Sequence, residues 1–199
     1  MKILLKAFVL TSLVTLPAHA IDLNPISAIK GAVEAAVEDR SSEDIANDLS
    51  IKTKITAEVI DKMGTEAIAI NADVYEAKVM LTGAVESQSI KDNAGMLTKG
   101  VSGVKRLYNE ILVVKAIDKE KGAVEGFVDD TVIESKINAL LLDAGGVSVT
   151  NYRWRSIGGD VFLFGRALSA AEKAKAENVV GGIKGVKSIT NRVFVRAKS

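Results

Sequence analysis

Side chains able to make or break covalent bonds are scarce in this 199-residue chain. It has no cysteine, and its one histidine, His19, stands in the triplet Ala18-His19-Ala20 near the N-terminus. Beyond that triplet there is no thiol nucleophile, no disulfide, no Ser-His-Asp triad and no imidazole base, and nearly every zinc or redox-metal ligand set is excluded. Carboxylate or lysine chemistry remains open in principle, yet no pair of acids stands apart from the general background of solvated charge. The composition therefore reads as that of a non-enzymatic protein with no cofactor and no metal.

What remains is recognition by charge and by apolar contact, and here the halves of the chain differ. Residues 48–115 hold nine acids and nine bases, whereas residues 130–197 hold six acids and ten bases, a net charge of +4. Basic side chains near an anionic lipid surface contribute on the order of 1 kcal/mol each, so a handful gives reversible attachment. The candidate phospholipid contacts are Lys136, Arg153, Arg155, Arg166, Lys173, Lys175, Lys184, Lys187, Arg192 and Arg196, with Trp154 and Val132 as apolar companions. Nucleic acid also attracts basic patches, but a chain close to neutral overall argues against it.

The elements that position these residues emerge from an internal repeat. A shift of 82 residues superposes 48–115 on 130–197 without a gap. Asp48, Ile51, Lys54, Ile55, Ala57, Asp61 and Gly64 recur as Asp130, Ile133, Lys136, Ile137, Ala139, Asp143 and Gly146. Val79, Leu81, Gly83, Ser87, Lys91, Ala94, Gly103, Val104, Lys105, Asn109 and Val113 recur as Val161, Leu163, Gly165, Ser169, Lys173, Ala176, Gly185, Val186, Lys187, Asn191 and Val195. Each copy opens with apolar residues at helical spacing over 48–63 or 130–143, with Asp in the place of a helix N-cap. Two alternating runs follow, 67–74 with 78–84 and 147–156 with 160–167, the latter pair joined across Ile157-Gly158-Gly159 as a hairpin. A second helix is expected over 87–99 or 169–180, starting at a serine and stopping at Gly100 or Gly181-Gly182. A closing strand covers 104–114 or 186–196. The fold class is α+β: two tandem α-β-β-α-β modules, each a small three-stranded sheet with two helices on one face.

Alternation assigns faces to the strands of the second module. If Val161, Leu163, Ile189, Val193 and Val195 face the helices, then Phe162, Phe164, Arg166, Arg192, Phe194 and Arg196 share the other side, an aromatic and basic surface suited to a headgroup boundary. The matching side of the first module shows Met80, Leu112 and Val114. The two sheets can therefore also pack on each other and bury the phenylalanines, leaving lipid contact to the outer edge of the helix over 130–142, with Val132 and Leu141, or to Lys173, Lys175, Lys184 and Lys187. Gly83, Gly103, Gly165 and Gly185 are read as structural, at strand ends that need positive φ or close backbone approach.

Lys2 and Lys6 flank an apolar run that ends at Pro17 and Ala18-His19-Ala20, the pattern of a signal peptide over residues 1–20. No lipidation cysteine follows it, so the expected mature protein is periplasmic and attaches to membrane, if at all, peripherally. Residues 21–47 form an N-terminal segment in which Ile26, Ile29, Val33 and Val37 have the spacing of a short amphipathic helix. Residues 116–129, charged and glycine-containing, read as a linker.

The ordered pattern Asp-x-x-Ile-x-x-Lys-Ile, Val-x-Leu-x-Gly and Gly-Val-Lys-x-(Leu/Ile)-x-Asn resembles the BON domain. Its core is Val79-Met80-Leu81-Thr82-Gly83 with Gly103-Val104, and Val161-Phe162-Leu163-Phe164-Gly165 with Gly185-Val186. The resemblance covers both repeats and is greatest to dual-BON periplasmic proteins, of soluble osmotic-shock or outer-membrane lipoprotein type. It implies binding to an anionic phospholipid membrane and support of envelope integrity. Its alternative is a protein-interaction or chaperone-like role toward outer-membrane assembly or other envelope proteins.

Overall fold

A computed structural model describes residues 39–114 and 127–196. The expected signal peptide and amphipathic segment, residue 115 and residues 116–126 of the expected linker lie outside the described residues. In the first module, helix α1 (Ser42–Met63) leads through a 3-10 turn (Gly64–Ala69) into strands β1 (Ile70–Tyr75) and β2 (Lys78–Val85). Helix α2 (Gln88–Gly100) then crosses back to β3 (Arg106–Asn109) and β4 (Leu112–Val113). The second module repeats this with α3 (Phe127–Asp143), a 3-10 turn (Val149–Asn151), β5 (Tyr152–Ile157), β6 (Asp160–Ala167), α4 (Ala170–Gly181), β7 (Ser188–Asn191) and β8 (Phe194–Val195).

In each sheet the hairpin strands pair antiparallel, and the strand after the crossover helix pairs parallel with the second hairpin strand. The closing strand is broken: β3 and β4 both lie along β2 in one continuous register, with the break at Glu110 and Ile111, and β7 and β8 repeat this along β6. The sheet is thus three strands wide, its third strand made of two pieces. Ile51, Ile55 and Val59 of α1 close the first core over Val79, Leu81 and Val85, and Ile133, Ile137 and Leu141 of α3 do the same over Val161, Leu163 and Ala167.

Two expectations change. Helix α1 starts at Ser42, whose neighbour Ser41 is the N-cap, its side chain accepting from the Asp44 amide. Asp48 therefore sits well inside the helix. Likewise α3 starts at Phe127, within the stretch expected to be linker, so Asp130 is no cap either. The second helices do begin as read, with Ser87 and Ser169 accepting from the amides of Ile90 and Glu172.

Asp48 and Asp130 hold the hairpins instead. The Asp48 carboxylate accepts from the amides of Glu76 and Ala77, both at 2.7 Å, and pairs with Arg40. Asp130 accepts from the amides of Gly158 and Gly159 at 2.6 and 2.9 Å, and from the Ser156 hydroxyl at 2.6 Å. Both turn residues have positive φ in each hairpin, Glu76 and Ala77 in the first and Gly158 and Gly159 in the second. That is the twist a two-residue hairpin prefers, and it leaves adjacent amides pointing the same way, toward one carboxylate. Gly83 and Gly165 have an equally local reason: a Cβ on either would stand 2.0 Å from a backbone oxygen, of Ala69 or Asn151, where the 3-10 turn enters the sheet.

Candidate functional site

The sheet of each module has helices on one side only, and the two bare faces meet. Tyr75, Met80, Phe162 and Phe164 form a buried cluster, with Tyr108, Leu112, Ile157 and Phe194 packed around it. The molecule is thus four layers, helices outside and two sheets within. The phenylalanine face of the second module is covered by the first, so neither a membrane nor a client protein meets it in this arrangement.

Around the aromatic cluster runs a ring of charge. Arg155 reaches Asp73 at 3.2 Å, Arg192 reaches Glu110 at 2.7 Å, and Arg166 and Arg196 share one oxygen of Glu76 at 3.2 and 2.5 Å. Arg166 is only 3% exposed and also faces Asp39 at 3.9 Å. The Tyr75 hydroxyl donates to Asn151 Oδ1 at 3.0 Å, and the Asn151 amide donates to Asp39 at 3.3 Å. Arg153 donates to the carbonyls of Thr150 and Tyr152 and lies over the Tyr75 ring, 5.4 Å from its centroid. All five arginines expected at a lipid surface therefore point into or around this seam, and the acids paired here with Arg155, Arg166, Arg192 and Arg196 belong to the first module or its approach.

Trp154 is placed differently again. Strand alternation sends it away from Arg153 and Arg155 into the helix-facing core, where it is 3% exposed. Its neighbour Tyr152 is buried there too, and that burial, with the Glu172 carboxylate second, pushes its phenol pKa up. Glu172 itself is held by the amides of Ser148 and Leu168, both at 2.8 Å. Neither aromatic can touch a headgroup without opening the module.

The remaining candidates lie on the outer layer of the second module. Val132, Leu140 and Leu142 of α3 stand 43%, 43% and 63% exposed, with Lys136 exposed among them. Leu141, expected at this edge, is instead fully buried beneath it. Lys184 and Lys187 are exposed on either side of Gly185, whose backbone packs against Ile133 near the start of α3. Lys175 donates to the Gly145 carbonyl beyond the end of α3 at 2.5 Å, and Lys173 donates to the Val193 carbonyl at 2.6 Å. Lysines thus stand near both ends of an exposed apolar stripe. Val132, Lys136 and Leu140 follow one side of α3, and Leu142, two residues on, points elsewhere; the equivalents of that stripe in α1 are the polar Ser50, Lys54 and Glu58, whereas the exposed apolar residues of α1, Leu49 and Ile60, lie on a different side. No helix among the described residues is long and apolar enough to cross a membrane.

Comparison with known proteins agrees with the duplicated architecture. The family model described as BON domain matches twice, at residues 47–115 and 129–197. The chain is 31% identical to osmotically-inducible protein Y of Escherichia coli K12, over 73% of its own length and 71% of the relative's. It is 28% identical to outer membrane lipoprotein DolP of Haemophilus influenzae, over 79% of each chain, and 28% identical to a 21 kDa hemolysin of Actinobacillus pleuropneumoniae, over 86% of this chain and 78% of the other. With the ordered motif present twice, and folded twice into the same helix-and-sheet unit, the chain belongs to the BON-domain family and carries two BON domains in tandem.

Proposed function

We propose that this is a non-catalytic bacterial envelope protein that attaches reversibly to anionic phospholipid through the outer face of α3. The observation that carries the reading is the exposed stripe Val132, Lys136 and Leu140, whose two apolar positions are Ser50 and Glu58 in the sister helix. An amphipathic face of this kind settles at the headgroup boundary, with its apolar side chains inward and lysines toward the phosphates. Two partly exposed aliphatic side chains contribute on the order of 1 kcal/mol each on burial, and three or four lysines about as much each. Against the cost of ordering, that sum corresponds to weak, reversible attachment. Similarity to proteins named as an outer membrane lipoprotein and as osmotically inducible supports a periplasmic setting and a role in envelope integrity or osmotic stress.

Flotation of residues 21–199 with vesicles, with and without anionic lipid, tests the reading. The expected result is salt-sensitive flotation with anionic vesicles that is lost in Val132→Glu/Leu140→Glu and unchanged in Ser50→Glu. Flotation indifferent to α3 would sink it. A second reading, contact with an envelope protein, draws on Ile68 and Met96, which stand 83% and 68% exposed on the first module; failure to float under any condition favours that reading.

A further inference from the structure

The seam has a symmetry that its individual contacts do not announce. Under the 82-residue repeat, Asp73 corresponds to Arg155 and Glu110 to Arg192. These are the very pairs in contact, at 3.2 and 2.7 Å. A residue touches its own repeat equivalent only where a two-fold axis passes between them. Met80 and Phe162, also equivalent, both belong to the buried cluster, as do Tyr75 with Ile157 and Leu112 with Phe194 around it. Asp73 stands beside Met80 in register and Met80 beside Tyr108, while Glu110 lies two residues further along that third strand, so the line from Asp73 to Glu110 crosses the sheet obliquely and passes close to Met80. The two modules are therefore related by a pseudo-two-fold lying in the seam along Asp73, Met80 and Glu110, the geometry of a homodimer fused into one chain.

In a true homodimer each residue on such an axis meets its own copy. Two first modules would set Asp73 against Asp73 and Glu110 against Glu110, and two second modules would set arginine against arginine at the same points. Both repel in a partly desolvated setting. Here the positions carry opposite charge, so only the unlike pair is favourable. Off the axis the division continues, with Glu76 and Asp39 on one side and Arg166 and Arg196 on the other.

We propose that the two sheet faces are heterotypic recognition surfaces: the acidic face of the first BON module selects the basic face of the second in the same chain, and charge inversion on the axis forbids like modules from pairing. The excess positive charge of the second module is then largely assigned to self-recognition, and the lysines of its helical layer are what remains for an outside partner. Exposed ion pairs alone add little to stability, but unlike and like pairs differ in sign, and specificity depends on that difference.

Small-angle scattering of the full chain, with circular dichroism as a check on each module's fold, tests the proposal. Asp73→Arg/Glu110→Arg sets arginine against arginine at both axis positions, and Arg155→Asp/Arg192→Glu sets acid against acid there, with the pairs of Glu76 and Asp39 left in place in each. Each is expected to shift the particle from a compact to an extended, two-lobed form. The variant carrying all four substitutions restores unlike charge with its sign reversed and is expected to return to the compact profile. If either half-set is unfolded, recovery in the four-fold variant remains the reading. Half-set variants as compact as the parent, or a four-fold variant no more compact and no better folded than the half-sets, overturn the proposal.

Discussion

Asp48 and Asp130 are the residues whose recurrence was easiest to see and whose purpose was hardest to name. Aspartate before an apolar periodic run suggests a cap, but in both modules helix precedes it, and its carboxylate holds two amides of a distant hairpin turn. The link spans 28 and 29 residues in each copy, beyond any local spacing rule. The turns differ in one respect with an energetic consequence. The second is Gly158-Gly159, at ease with positive φ, whereas the first asks Glu76 and Ala77 to adopt it, at roughly 1 kcal/mol or more per residue. Asp48 therefore compensates strain as well as satisfying donors, and it also pairs with the buried Arg40. Asp130→Ala is expected to lower stability by about 2 kcal/mol, from amides left unsatisfied. Asp48→Ala is expected to cost more, and paired urea unfolding curves give the order directly. Equal losses would mean that turn strain and the Arg40 pair contribute nothing.

At the scale of elements, periodicity read from the chain recovers the helices, the hairpins and the crossover, because each follows from local alternation of apolar and polar positions. It also recovers the sharing of one face by Phe162, Phe164, Arg166 and Phe194. What alternation does not contain is the identity of whatever covers that face, and that is why five seam arginines resembled a lipid surface. Trp154 was legible by the same rule, since it lies between Arg153 and Arg155 and must point the other way. The break at Glu110 and Ile111 left no mark in the sequence, as the register is unchanged across it. Because the sheets meet face to face, α1 and α3 lie on opposite outer surfaces, and this allows an element to be tested by transplanting its character. Ser50→Val/Glu58→Leu gives α1 the stripe of α3. A chain with two lipid-binding faces pointing apart is expected to tether vesicles, seen as rising turbidity with anionic liposomes, while the parent floats without clustering them. A grafted chain that floats more strongly yet clusters nothing would mean that both faces reach one bilayer, contrary to the layered arrangement.

For the whole molecule, the seam makes one chain from two halves that each need the other's charge. Its central pair, Arg166 with Glu76, is nearly dry, and removing one member of such a pair leaves a buried charge at a cost of about 3–5 kcal/mol. Its outer pairs, Arg192 with Glu110 and Arg196 with Glu76, keep arginines substantially in solvent and are screened by salt. Such an interface has a selective core and a soft rim, and it predicts the behaviour of the half-set variants when mixed. Asp73→Arg/Glu110→Arg leaves Arg155 and Arg192 of its second module with no acid opposite them in its own chain. Arg155→Asp/Arg192→Glu leaves Asp73 and Glu110 of its first module with no base opposite them. Mixing them brings the native pair together between chains, and the two altered faces form the sign-reversed pair. Light scattering is expected to show a species of twice the chain mass in the mixture and in neither variant alone, growing with concentration as association requires. Equal growth in a single variant would mean that apolar contact among Tyr75, Met80, Phe162 and Phe164 suffices without matched charge, and the seam would then be adhesive rather than selective.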